Sequence, residues 1–505
     1  MNLKDSLLLF SRYAFKGEQP PSELAALSSD IVTTTGGLPL ALVIIGSFLK
    51  GKDQSIWIET RVKLRKVPHT DVQQKLRISY DSLEYEEQQM FLDIACFFIG
   101  INKIFATYLW EDLQYCPNSG LERMIELSLM KIDDNNELRM HDQLRDLGRA
   151  IACPANKKPW KCSRLWDEKT IIVQQSKEEN KNIEALCLDE YGSNMFMKRW
   201  SFKRMPYLKF LRLSKVNFVG DFEDSLSELR WLEWEECPNS FKAINVHLEK
   251  LVMLDLSDGN ISECWGGWSS IKMERLKVLN LFNCLHLKRT PNLSTLKSLE
   301  ILILEKCHNL EEIDSSIGDV KCLVSLNLSD CGDLRELPSQ LGNLRNLVSL
   351  NLSTCQQLQE LLKEISQLKE LKELIIDEVC IKEIPPWISS LKKLEILSAQ
   401  ACDSLVGLPD SISHLVNLLT LDSRFCSNFE GFPGSIGSLV KLQYLLLGNE
   451  CLPPKEDDDL ETHWYWDYNY CLNHIPHSIG KLELLTELHL TCAKKFRNYL
   501  NPSGT

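Results

Sequence analysis

The sequence predicts a helical N-terminal part followed by a long α/β repeat solenoid with a parallel sheet on its concave side. Two observations carry this. From about residue 270 the unit Leu-x-x-Leu-x-Leu-x-x-Cys recurs, as Leu323-x-x-Leu326-x-Leu328-x-x-Cys331 and Leu347-x-x-Leu350-x-Leu352-x-x-Cys355. Its first leucine returns at Leu276, Leu299, Leu323, Leu347, Leu371, Leu394, Leu418 and Leu442 in steps of 23 or 24 residues, the period of leucine-rich repeats. Residues 1–150, by contrast, lack the period and place apolar residues at helical spacing.

In the N-terminal part Leu24, Leu27, Ile31 and Val32 form one apolar helical face that ends before Gly36-Gly37. A second helix is expected over Leu38 to Leu49, where Pro39 suits the first turn because an N–H there would have no intrahelical partner. Gly46 to Lys52 fits the first seven positions of the phosphate-binding pattern G-x-x-x-x-G-K-[ST]. The eighth position is Asp53, a carboxylate where a Mg²⁺-binding hydroxyl is needed, and the stretch ends a helix instead of following a strand. It is therefore not a phosphate loop.

Degenerate repeats extend upstream through Leu251, Leu229 and Leu208 to about Ile183, and one more follows at Leu485, for about thirteen units. Each L-x-L alternates like a strand with its leucines inward, and each next unit adds a parallel neighbour, so one core runs through the array. The arcs Leu337-Pro338-x-x-Leu341, Leu408-Pro409-x-x-Ile412 and Phe432-Pro433-x-x-Ile436 should be extended or briefly helical, because proline fixes φ and donates no hydrogen bond. Cys237, Cys284, Cys307, Cys331, Cys355, Cys402 and Cys426 share one repeat position. Buried thiols packing the turn after each strand explain this better than a metal stack, since no histidine or carboxylate joins them.

The interval from Leu442 to Leu485 is 43 residues, which places an insert near 449–470. It carries an acidic run, Glu456 to Asp459, and then His463, Trp464, Tyr465, Trp466, Tyr468 and Tyr470. Such an insert projects from one face and either binds a partner or packs its aromatics locally. Outward strand positions change from mostly Asn and Ser to Asp422, Arg424 and His489 toward the C-terminus. Energetic anchors at interfaces are usually aromatic or Arg, so Asp422, Arg424, His489, Trp464 and Trp466 are the candidate partner-binding residues.

Composition narrows the function classes. The 505 residues carry a net charge of −13, of which −12 lies in 183–505 (33 Lys+Arg against 45 Asp+Glu). An acidic surface repels phosphate, so nucleic acid and anionic membranes are poor partners for that part. No apolar run reaches the ~18–20 residues of a membrane span, and the N-terminus has no secretory pattern. The 18 cysteines show no paired spacing and no C-x-x-C. The N-x-[ST] triplets at Asn260, Asn292, Asn327 and Asn351 follow from repetition. A reducing compartment is expected, cytoplasmic or also nuclear. Neither G-x-S-x-G nor H-E-x-x-H occurs and no nucleophile–base pair is evident, so an enzyme is not expected and no metal site is predicted.

Three ordered signatures carry a family resemblance: Gly37-Leu38-Pro39-Leu40-Ala41-Leu42, Phe91-Leu92-Asp93-Ile94-Ala95-Cys96-Phe97-Phe98 and Met140-His141-Asp142. Together with the repeats they resemble the nucleotide-binding leucine-rich-repeat immune receptors of plants. The second signature and Ser163-Arg164-Leu165-Trp166 resemble the TIR-type subclass. The resemblance implies a partial helical domain at 1–66, a winged-helix domain at 67–160, a linker at 161–182 and leucine-rich repeats at 183–505. It also implies recognition of a pathogen effector or guarded host protein by the repeats, regulation by the helical and winged-helix parts, and self-association in an intact receptor. ADP or ATP is the implied cofactor, with Pro39 packing on adenine and His141 reaching the β-phosphate. Because the sequence shows neither a TIR nor a P-loop segment, hydrolysis is not expected and ADP binding should be weak. The other reading is a leucine-rich adaptor or scaffold without a nucleotide switch.

Overall fold

The computed structural model describes residues 1–65, 72–167, 180–188, 196–198, 202–448 and 476–491. They fall into two compact units, one holding Met1–Leu188, Trp200–Leu211 and Glu228–Trp231, the other Asp189–Arg199, Arg212–Ser227 and Leu232–Thr505.

The first unit is built from helices α1 (Leu3–Phe15), α2 (Ala25–Thr35), α3 (Pro39–Leu49), α4 (Gln54–Arg65), α5 (Val72–Tyr80), α6 (Tyr85–Asp93), α7 (Lys103–Asp112), α8 (Pro117–Glu126) and α9 (Asp142–Ala152). Both helices read from spacing are present, and Pro39 occupies the first turn of α3. Residues 46–49 are the last turn of that helix, which leaves no strand-to-helix loop for a phosphate. α1 packs on α3, and Phe10, Phe15 and Trp57 lock it to α4, with Phe15 stacked on Trp57 at 5.2 Å. A capping box starts α6, in which the Glu87 carboxylate accepts the Glu84 N–H at 2.9 Å. A short antiparallel pair, β1 (Lys131–Ile132) and β2 (Leu138–Arg139), makes the wing between α8 and α9. Its turn is tied by Asp133, whose carboxylate accepts from the N–H groups of Asn135 and Glu137 and from Arg139 Nε at 2.7 Å.

Part of the expected linker is integrated into this unit. β3 (Arg164–Leu165) pairs in parallel with β4 (Ala185–Leu188), and Arg164 and Leu165 are both buried. The sequence offers no local sign of this, because the partner that holds Arg164 lies far upstream. A disulfide joins Cys153 to Cys162, contrary to the expectation of unpaired thiols. The two cysteines meet because the intervening loop brings the end of α9 back beside β3, a return that a search for C-x-x-C does not see.

The second unit is the repeat array. Parallel strands pair leucine on leucine in unbroken register, Leu254–Leu279–Leu302–Leu326–Leu350–Leu374–Leu397–Leu421–Leu445–Leu488. The Pro-bearing arcs are short 3₁₀ turns, for example Ser339–Asn343, Asp410–His414 and Gly434–Ser438, each with proline as N-cap. Successive turns stack so closely that a side chain at Gly342 would stand 2.9 Å from the Glu364 backbone, which explains glycine there. The earliest described units differ: Phe196–Lys198, Asn217–Asp221 and Lys242–Ile244 form a parallel sheet of their own.

Two devices turn the chain at each strand end. The Asn that ends the strand accepts the N–H two residues on, as Asn327 does from Ser329 at 3.0 Å and Asn351 from Ser353 at 2.9 Å. The residue after that is left-handed in unit after unit although it is never glycine: Asn283, Lys306, Asp330, Thr354, Glu378, Ala401 and Phe425 have φ between 51° and 64°. The cysteine follows. Its thiol donates to the carbonyl of the preceding unit's strand, Cys307 to Leu281 at 3.1 Å, Cys331 to Leu304 at 3.2 Å, Cys355 to Leu328 at 3.2 Å and Cys426 to Ala399 at 3.0 Å. Burial pushes the thiols of Cys307, Cys355 and Cys426 up to about 12, so these sulfurs stay protonated donors and poor nucleophiles.

Native alkylation with iodoacetamide at pH 8, read by peptide mass spectrometry, should therefore label the exposed Cys116, Cys264, Cys322 and Cys380 and spare the ladder until denaturant is added. Labelling of Cys331 or Cys355 at the rate of Cys322 would contradict the ladder.

Candidate functional site

The sequence signatures at 91–98 and 163–166 meet in space. α6 carries the first and runs directly into a π-helical turn at Ile94–Phe98, with Asp93 at the junction. The Asp93 carboxylate, 8% exposed, receives Arg164 Nη2 at 2.7 Å and Nε at 2.8 Å on one oxygen and Trp110 Nε1 at 2.9 Å on the other. Arg164 spends its remaining donors on the Gln89 side-chain and backbone oxygens and the Ser163 hydroxyl, each at 3.3 Å. Burial alone would lower the Arg164 pKa, but the carboxylate beside it more than offsets this and the guanidinium stays charged. Such a pair holds its parts in one register, because each charge is stranded without the other.

α9 closes over the same turn. A Cβ at Gly148 would lie 2.4 Å from that of Ala95, so only glycine permits this approach. Arg149 Nε donates to the Ala95 carbonyl at 3.2 Å while its guanidinium sits over the Trp166 ring, 5.3 Å from the centroid. Trp166 of the 163–166 signature thereby reaches the helix that follows Met140-His141-Asp142.

That helix starts at His141, an exposed N-cap whose Nδ1 accepts the Gln143 N–H at 3.2 Å. Accepting at Nδ1 places the proton of the neutral ring on Nε2. Pro39 is exposed at the start of α3, and α3 and α9 both pack on α5. The two residues thus stand at two helix N-termini that share a neighbour.

Among the proposed partner-binding residues, Asp422 is only 4% exposed and holds Arg424 Nη2 at 2.8 Å and Nε at 3.0 Å. Arg424 also reaches Gln400 Oε1 at 3.4 Å, so its cation is already engaged within the sheet. His489 Nε2 lies 2.7 Å from Glu487 on the last described strand. Trp464 and Trp466, like the whole 449–470 insert, fall outside the described residues. Among the described residues no group of three or more His, Cys, Asp or Glu is placed to hold a metal, and no helix is long and apolar enough to cross a membrane.

Arg164→Ala should cost about 3–5 kcal/mol in urea unfolding, because it strands the Asp93 carboxylate in the interior. Adding Asp93→Leu to that variant should recover a large part of the loss. A single variant costing under about 1 kcal/mol would show the pair to be incidental.

The comparisons with known proteins cover the same segment. The family profile for the winged-helix domain of Roq1-like disease resistance proteins matches residues 84–154, which span α6, the π-helical turn, the wing and α9. The chain is 30% identical over 320 residues to TMV resistance protein N of Nicotiana glutinosa, covering 62% of this chain and 27% of that protein. It is 31% identical over 321 residues to disease resistance protein RPP5 of Arabidopsis thaliana, covering 62% and 22%. The chain thus spans about a quarter of the length of these relatives. Among solved structures, a leucine-rich-repeat protein of Leptospira interrogans aligns with a TM-score of 0.42 at 22% identity, over 67% of this chain and 91% of that one. Residues 84–154 thus match the winged-helix domain of Roq1-like disease resistance proteins, and 62% of the chain is similar to plant TIR-type disease resistance proteins.

Proposed function

We propose that the chain works in plant innate immunity as a receptor whose repeat array recognises a pathogen effector or a guarded host protein, while the helical and winged-helix part regulates the defence signal. The observation that carries the reading is the joining of a disease-resistance winged-helix domain to a long parallel sheet with one face covered by its own 3₁₀ turns and the other open to solvent. Periodic surfaces of this kind suit protein ligands, since each unit adds a few outward side chains to one extended row. Recognition without catalysis is the activity proposed, in an intracellular setting where most of the chain's thiols remain reduced. Self-association accompanies signalling in this reading.

The proposal extends to nucleotide in a limited way. His141 offers one Nε2–H donor at the positive end of α9, and Pro39 offers a ring at the start of α3, which fits the edge of an anionic ligand's site. These two side chains contribute no cation toward phosphate. Calorimetry on this chain should accordingly find ADP binding weaker than micromolar and no turnover of ATP; micromolar binding that survives His141→Ala would contradict this account of the site.

Recognition by the open sheet face is tested by crowding it. Ser329→Tyr with Ser353→Tyr places two bulky rings on the middle of that face. The defence response of challenged leaves expressing this variant should be lost while its urea midpoint stays close to that of the natural chain. A full response from the crowded variant would remove recognition from this face.

A further inference from the structure

The arcs between strands carry charges of both signs, as in the Lys288–Glu311 and Arg289–Glu312 pairs. At one repeat position stands a cation, Lys297, Lys321, Arg345, Lys369 and Lys392 in successive units, the last four directly after the residue that closes a 3₁₀ turn. Several of these serve the fold: Arg345 Nη1 caps the Gln367 carbonyl at 2.9 Å, Lys369 Nζ that of Ser366 at 2.7 Å and Lys392 Nζ that of His414 at 3.2 Å. The strands of the long sheet from Met253–Asp255 to Glu373–Ile375, with the three residues that follow each, are acidic instead. Their outward charges are carboxylates, with the single exception of Lys306, whose ammonium lies over the Phe282 ring at 4.9 Å.

Four of these carboxylates are bonded only to neutral donors. Asp255 accepts from Asn280 Nδ2 at 2.8 Å and the Ser257 N–H at 2.9 Å, and Glu305 from Asn327 Nδ2 at 3.0 Å. Glu373 accepts from the Ser349 hydroxyl at 2.7 Å, and Asp377 from the Ser398 hydroxyl at 2.6 Å and the Gln400 N–H at 2.8 Å. These bonds aim the oxygens without cancelling their charge. Burial raises the Asp255 and Asp377 pKa values, and the neighbouring carboxylates of Asp422 and Glu378 push Asp377 the same way. Between the carboxylates lie half-buried Phe282, Ile303 and Ile375, which offer apolar surface to the stem of a long side chain.

We propose that the open sheet face between Asp255 and Asp377 docks a basic, arginine-bearing segment of the partner protein. The inference rests on the reading that this array binds a protein and adds the chemistry of that protein. Arginine suits the face better than lysine, because its fork pairs with a carboxylate in a bidentate way while its weakly hydrated plane and stem lie on isoleucine or phenylalanine. Asp255 and Asp377 stand on strands five steps apart, about 24 Å at ~4.8 Å per step, which an extended segment crosses in about seven residues. The same field repels nucleic acid and anionic lipid.

The test uses the full chain and labelled nona-arginine as probe, with nona-glutamate as control, read by fluorescence anisotropy at ~50 and ~150 mM salt. One variant combines Glu305→Gln, Glu373→Gln and Asp377→Asn; another, Glu336→Gln, Glu360→Gln and Glu383→Gln, removes the same charge at exposed sites outside the strands. The sheet-face variant should lose about tenfold or more in affinity for nona-arginine, and the other less than about twofold. Equal losses in the two variants, or equal binding of nona-glutamate, would overturn the proposal. The immune readout separates this from the parent reading. If Ser329→Tyr with Ser353→Tyr abolishes the defence response but the three sheet-face neutralisations leave it intact, the face binds a protein that is not basic and this inference fails alone. If the crowded variant also responds fully, the recognition reading fails with it.

Discussion

A single leucine-rich unit cannot bury its own leucines. The strand at its centre is three to five residues long, and its inward side chains are covered only when another unit stacks in register. The other regularities of the array follow from this constraint. The turn after each strand must bring the chain round in the same way every time, so a left-handed residue recurs at one position, occupied by Asn, Lys, Asp, Thr, Glu, Ala and Phe in turn. The thiol that follows bonds the carbonyl of the unit before it, and so reports the stacking directly. With the inner side filled by leucine and the back filled by 3₁₀ turns, one face alone remains for side chains that the fold does not need.

The first unit depends on a different kind of constraint, a long-range one. Asp93 and Arg164 are separated by 71 positions and hold the α6 turn against β3 through two charge-assisted bonds. Gly148 lets α9 settle on the same turn, and Arg149 carries the contact on to Trp166. Residues that read as separate family signatures along the chain are therefore one packed arrangement. Any rearrangement that parts α6 from β3 must strand two charges, which opposes such a movement.

What could be read before the structure was what is local. The 23–24-residue period, the proline arcs and the helical spacing of Leu24, Leu27, Ile31 and Val32 are short-range patterns, and the elements they predict are present. The Cys153–Cys162 bridge and the Asp93–Arg164 pair were hidden because each depends on loops that return from a distance. The candidate site was less legible than the fold. Spacing placed Asp422 and Arg424 on the open face, but it could not show that they satisfy each other within the sheet. Charge counting found the acidity of 183–505 without showing that the outward strand positions between Asp255 and Asp377 are nearly free of cations, because that appears only once the repeat register is known.

The central claim is that the open sheet face meets the partner. Carboxyl footprinting of the full chain, by carbodiimide coupling and peptide mass spectrometry, examines that face without altering it. Adding the protein that elicits the defence response should protect Glu305, Glu373 and Asp377 from coupling and leave Glu336, Glu360 and Glu383 as reactive as before. Unchanged coupling at the first three, or protection confined to the second three, would place the partner elsewhere and contradict the account.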